Sequence, residues 1–151
     1  MTQEEKNLLK IDLCCRLPYN IKVHAKYTEL GETVELDGIV KMIDTDGFVG
    51  IQVMYDISSS FICVDIDNVK PYLFPLSSMT EEQYDEMEKI VSEDYMENIQ
   101  ITKEMREKVD FITHWPLYSP KVIDWFNKNH FDYRGLIKKG LAIDCTNLNI
   151  Y

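Results

Sequence analysis

Acid–base or metal chemistry in this chain would fall first to its three histidines, His24, His114 and His130, because imidazole changes charge near neutral pH and binds metals through a neutral nitrogen. Their contexts give them no common task. His24 alternates with Val23 and Ala25 on the wet side of an expected strand, His114 precedes Trp115-Pro116, and His130 falls in a turn between two expected helices. No pair among them has the spacing of a metal motif or of a nucleophile and its base. Asp132 beside His130 invites a dyad, but an aspartate there also serves as a helix N-cap, which accounts for more of the neighbouring sequence.

The acidic run Glu81, Glu82, Asp85, Glu86 and Glu88 could hold a divalent ion or an acid/base pair. Carboxylates at a helix start are equally what the macrodipole favours, and a charge run is ordinarily a solvated face. Asp44-Thr45-Asp46-Gly47 opens like a calcium loop yet lacks the downstream glutamate and flanking helices, so it reads as a hairpin turn. Cys14, Cys15, Cys63 and Cys145 include no C-x-x-C pair, and adjacent cysteines on a helix point about 100° apart, too divergent for one tetrahedral ion. With no glycine-rich phosphate loop, G-x-S-x-G or H-E-x-x-H, the sequence yields no catalytic residue, no metal ligand and no cofactor, and the chain reads as a non-enzyme.

Charge narrows the class of partner. The 151 residues carry a formal net charge of -10, unevenly placed: residues 80–110 hold eleven acids against four bases, and residues 111–151 three acids against five bases. Such a surface repels phosphate backbones, so direct nucleic-acid binding is not expected. Apolar runs of a few residues cannot span a bilayer. Glu4 and Glu5 are foreign to a secretory leader, which points to the cytoplasm and to reduced thiols.

These groups must be positioned by elements that the apolar periodicity outlines. A helix over 1–17 starts with Thr2 and Glu5 in capping-box spacing, carries Leu8, Leu9 and Leu13, and stops at Pro18. From 21 to 66 the period shortens to two, giving strands over 21–27, 33–43, 48–55 and 61–66, with a bend near Asp37-Gly38 and a turn at 44–47. Pro71 and Pro75 make 67–79 an extended connection rather than a central strand.

The region 80–151 should be helical. Ser78 with Glu81, or Thr80 with Gln83, caps a helix bearing Tyr84, Met87, Val91 and Tyr95. Met105, Val109 and Ile112 suggest another, ended by Thr113-His114-Trp115-Pro116. Ser119-Pro120 starts the next, closed at Asn129-His130, and Asp132 caps a last one that Gly140 ends. The expected fold is α+β, one domain over 1–151: an N-terminal helix, a small antiparallel sheet or partly closed barrel of about four strands, then several C-terminal helices.

Three blocks carry a resemblance: Leu8 to Tyr19, Lys70 to Glu82, and Asp124 to Leu141. In this order they resemble a group of small uncharacterised proteins encoded by gut Bacteroides relatives and by their prophages and phages. The resemblance implies a phage or prophage origin and a bacterial host cell, and brings no activity with it. Residues 21–66 and 85–118, between the blocks, look individual to this chain.

Tail aromatics Trp115, Tyr118, Trp125, Phe126, Phe131 and Tyr133 with Arg134 have the composition of a binding hot spot and equally of a small core. Trp125, Phe126 and Phe131 lie where helices must pack, which leaves Tyr118, Tyr133 and Arg134, with Glu81, Glu82, Asp85 and Glu86, as candidate partner contacts. The leading expectation is a non-enzymatic protein-interaction module, an adaptor or host modulator, that presents its strand region and acidic helix to a protein partner. An acidic mimic of nucleic acid acting against host defence is the alternative, followed by a small hydrolase or a virion component.

Overall fold

Thr2 initiates the first helix as its spacing predicts. In the computed structural model, which describes residues 1–54, 59–95 and 119–151, helix α1 (Gln3–Arg16) opens with a reciprocal capping box between Thr2 and Glu5. A single 3-10 turn through Pro18 ends on Asn20 in the left-handed region. The chain then enters β1 (Lys22–Glu29), β2 (Glu32–Ile43), β3 (Phe48–Met54) and β4 (Ser59–Asp65), an antiparallel meander. The Asp44 carboxylate fixes the β2–β3 turn, accepting from the amides of Gly47 and Phe48 at 2.8 Å each.

Two strands lie beyond the four expected. β5 (Val69–Leu73) pairs antiparallel with β1, and β6 (Ile143–Asp144) pairs parallel with β5. The result is an open six-stranded sheet of order β4-β3-β2-β1-β5-β6 rather than a barrel. Pro71 thus sits inside the sheet, against expectation. Alternation explains how: the Leu73 carbonyl accepts from Cys145 on the β6 side, so Pro71, two residues earlier, also turns its nitrogen that way. β6 begins opposite Tyr72, so the missing N–H interrupts no ladder bond to β1.

The expected bend at Asp37-Gly38 is also displaced. β2 runs straight through it, and the register slips between Val40 and Met42. Gly38 marks a close approach: a Cβ there would lie 2.7 Å from the Gln52 carbonyl oxygen on β3.

Helix α2 (Glu81–Tyr95) takes Thr80 as its cap, reciprocally bonded with Gln83, whereas the Ser78 hydroxyl donates to the Pro75 carbonyl. Helix α3 (Pro120–Lys128) has Pro120 in its first turn, and Ser119 makes no side-chain capping bond to it. Its end is a Schellman turn: Phe131 N–H donates to Phe126 O, and His130, at φ 58°, donates to Asn127 O. The last expected helix is reduced to turns. Leu141 N–H to Leu136 O and Gly140 N–H to Ile137 O close it with Gly140 at φ 71°. The helix expected around Met105, Val109 and Ile112 lies outside the described residues.

Two apolar clusters result. One packs Leu9 and Leu13 of α1, with Leu136 and Leu141, onto Val23, Ala25, Val40, Val49, Ile51 and Leu73 of the sheet. The other joins Met87 and Val91 of α2 to Val122, Trp125, Phe126 and Phe131. Arg16 links them. It is fully buried, makes a bidentate pair with Asp12 at 2.8 and 3.1 Å, and donates to the carbonyls of Phe126 (3.3 Å) and Phe131 (2.8 Å) at the end of α3.

Candidate functional site

Side chains alternate across a strand, so burying Val23, Ala25, Val49, Ile51 and Val53 under α1 sends their neighbours to the opposite face. That face is largely open: Lys26, Glu35, Asp37, Met42, Phe48, Phe61, Cys63 and Lys70 are all exposed. Cross-strand register sorts it into two halves.

The half on β2, β3 and β4 is apolar. Met42 and Cys63 flank Gly50, and Phe61 lies opposite Gln52, itself opposite Ile39. The Phe61 ring covers Gly50, where a Cβ would lie 2.4 Å from the ring's far carbon. Met42, Phe48 and Phe61 are 43, 45 and 54% exposed, large values for side chains of this size in a sheet.

The half on β1, β2 and β5 is polar. His24 lies opposite Asp37, and Lys26 opposite Glu35. One Asp37 carboxylate oxygen accepts from the Tyr72 hydroxyl at 2.7 Å and lies 3.0 Å from His24 Nδ1, while His24 Nε2 is 3.5 Å from Glu35. Burial, then the Asp37 hydrogen bond, pushes the Tyr72 phenol well above its ordinary range. The Lys26 ammonium holds the Glu35 carboxyl below the usual range. Beside this constellation is a shallow cavity of about 250 Å³ bounded by Lys22, Asp37, Ile39, Gln52, Tyr72 and Ile150. Two carboxylates facing one imidazole fix its ring orientation, an arrangement suited to holding a polar group.

The far end of the polar half is closed by Tyr151. Its hydroxyl accepts from the Lys22 amide (3.2 Å) and donates to the Tyr72 carbonyl (3.1 Å), bridging β1 and β5 where their ladder ends. The residue as a whole is 44% exposed, yet its hydroxyl is enclosed, and burial raises the phenol's pKa well above normal. The ring stacks on His130 at 4.1 Å.

The other sequence candidates divide by burial. Glu81, Glu82, Asp85 and Glu86 all project into solvent from α2. Tyr133 stacks on Phe126 and donates to Asn127 at 3.1 Å. Arg134 lies over the Tyr133 ring, its Nε 3.3 Å from Asp12, within ion-pair range though not aligned as a hydrogen bond. Both therefore have internal partners. Tyr118 and His114 lie outside the described residues.

His130 is buried, and burial reinforced by Arg16 and Lys22 lowers its pKa to about 4. Its Nδ1 has no hydrogen-bond partner among the described residues. Asp132 accepts from the amides of Leu136 and Ile137 at 2.8 Å each, the role of a cap on a turn. The cysteines are all free thiols.

Sequence reasoning missed Asp37, Tyr72 and Tyr151. The alternation of His24 and Asp37 on successive strands was a usable signal for the first. The other two required knowing that β5 adjoins β1. Comparison of the chain with protein-family models, curated proteins and solved structures finds no match.

Proposed function

We propose that this chain is a non-enzymatic protein-interaction module of phage or mobile-element origin, acting in the host cytoplasm, with the open sheet face as its contact surface. The observation that carries this reading is that Met42, Phe48 and Phe61, each more than two-fifths exposed, share one face on neighbouring strands around Gly50, a face whose other half is charged. Contiguous apolar surface rimmed by polar groups marks interaction sites, and aromatic side chains supply most binding energy at their centres. The rim pairs Glu35 and Asp37 with Lys26 and His24, while the chain as a whole is strongly acidic. The fitting partner is a protein presenting an apolar ridge flanked by lysine or arginine.

The test is a host-lysate capture run in parallel with wild type and the double variant Met42→Ser, Phe48→Ser. A partner held by wild type and weakened at least ~10-fold by the double variant, with an unchanged melting curve, supports the reading. Equal retention by both proteins, or none by either, overturns it. The acidic mimic is the second reading, favoured by the exposure of Glu81, Glu82, Asp85 and Glu86 along α2. It predicts the converse: binding lost on reversing those four to lysine, steeply weakened by salt, and indifferent to Met42 and Phe48.

A further inference from the structure

The outer edge of β4 has its own sequence logic. The Ile66 amide donates to the Gly47 carbonyl, which continues the β3–β4 register by one pair and makes that pair a hydrogen-bonded one. Bonded pairs recur every second residue in an antiparallel ladder. Residues 60, 62 and 64 therefore spend their backbone groups on β3, while Phe61 and Cys63 point theirs outward. Among the described residues nothing pairs with this edge. Ser59 to Val64 contain no charge and no proline, the devices that ordinarily protect an edge strand.

We infer that the β4 edge pairs antiparallel with β4 of a second copy of this chain, about a twofold axis at Ile62. The two β4 strands then place Phe61 opposite the partner's Cys63, Ser60 opposite the partner's Val64, and Ser59 opposite the partner's Asp65. Ile62 faces its own symmetry mate. The outward amides and carbonyls of Phe61 and Cys63 form two bonded pairs, each with two N–H···O bonds. No like charges meet: the only charge on the strand, Asp65, faces a serine and lies near Lys6. On the covered side, the half-buried Ile62 side chains bury each other. On the open side, Phe61 and Cys63 extend the apolar half across the junction, and two six-stranded sheets become one. Sliding the register by two residues one way would set Phe61 against the partner's Asp65, burying a carboxylate beside a ring. Sliding it the other way would set Phe61 against the partner's Phe61 and shorten the overlap of the two strands from Ser59–Asp65 to Ser59–Cys63, so the Ile62-centred alignment is favoured.

The inference concerns the backbone edge and stands apart from the partner proposed above. Its test is sedimentation of the full chain over a concentration series, with amide exchange at the lowest and highest concentrations. Expected are a reversible dimer, tightened by salt because each copy is net negative, and exchange at Phe61 and Cys63 slowed at least ~10-fold at high concentration. The Ile62 and Val64 amides, already bonded to β3, stay slow throughout. Cys63→Pro removes one outward N–H and no β3 bond. Cys63→Lys sets a charge on the edge and serves where the proline variant misfolds. Either should be monomeric, while Met42→Ser, Phe48→Ser still dimerises. A monomer at every concentration overturns the inference. So does a dimer that survives both Cys63 variants, or protection of Phe61 and Cys63 that requires a foreign peptide instead of concentration.

Discussion

The two faces of one sheet treat charge in opposite ways. On the covered side Asp12 and Arg16 are both fully enclosed, and the guanidinium donates to both carboxylate oxygens of Asp12 and to the carbonyls of Phe126, in α3, and Phe131, just beyond it. On the open side His24, Asp37, Lys26 and Glu35 make equally close pairs across strands, but water reaches them. A buried ion has exchanged its hydration for fixed partners and becomes destabilising the moment one is removed, whereas a solvated ion simply rehydrates. The covered side therefore holds the molecule together, and the open side is free to vary or to bind.

Breaking the buried pair should have the largest effect. Asp12→Ala leaves Arg16 charged and enclosed with only carbonyl partners, and we expect a loss of about 3–5 kcal/mol in denaturant unfolding. Arg16→Lys should not restore it, because a point ammonium cannot reproduce the bidentate fork. Asp132→Ala orphans the buried amide of Leu136 and the half-buried amide of Ile137 and should cost about 2–3 kcal/mol by the same measurement.

His130 sharpens the contrast through pH. Unfolded, its imidazole titrates near the ordinary 6.5, and folded near 4. Between those values the unfolded chain binds a proton that the folded chain refuses, so its share of stability is complete above about pH 6.5 and falls as pH drops toward 4. His130→Asn keeps a residue that tolerates the left-handed backbone and removes the titration. Wild type should lose about 2 kcal/mol more than this variant between pH 7 and pH 4.5.

On the open face the same kinds of change should be small. Met42→Ser and Phe48→Ser should each alter unfolding stability by less than about 0.5 kcal/mol, and a larger loss would mean that this face is packed rather than presented. Opposite in sign is Leu30→Asn in the β1–β2 turn. Leu30 holds φ 52° with its side chain wholly exposed. Asparagine suits that conformation better, for a gain of about 0.5–1 kcal/mol on thermal or chemical unfolding.

The legible elements share a cause. Thr2 with Glu5, Thr80 with Gln83, Asp44 with Gly47, and Pro120 act within a few residues of themselves, so their instructions could be read directly. Where the sequence misled, a distant partner decided. Pro71 looked like a strand breaker until β6 proved to begin one residue beyond it, and Asp132 looked like a helix cap although only a turn follows. The candidate surface was legible as far as its strands' alternation and α2's exposed acids. The Asp37–Tyr72 bond was not, because its two residues lie 35 positions apart and meet only once β5 has docked on β1.

By itself, then, the sequence determined an α+β chain with a capped N-terminal helix, an antiparallel meander and an acidic helix, since capping, turn chemistry and side-chain alternation are local. Tertiary structure alone decided that the sheet stays open, that Arg16 joins two cores and that Tyr151 closes the β1–β5 ladder. It alone set Met42, Phe48 and Phe61 in water and turned the backbone of Phe61 and Cys63 outward. Those outcomes depend on which strands become neighbours and which face the helices cover, choices made by the burial of the whole chain.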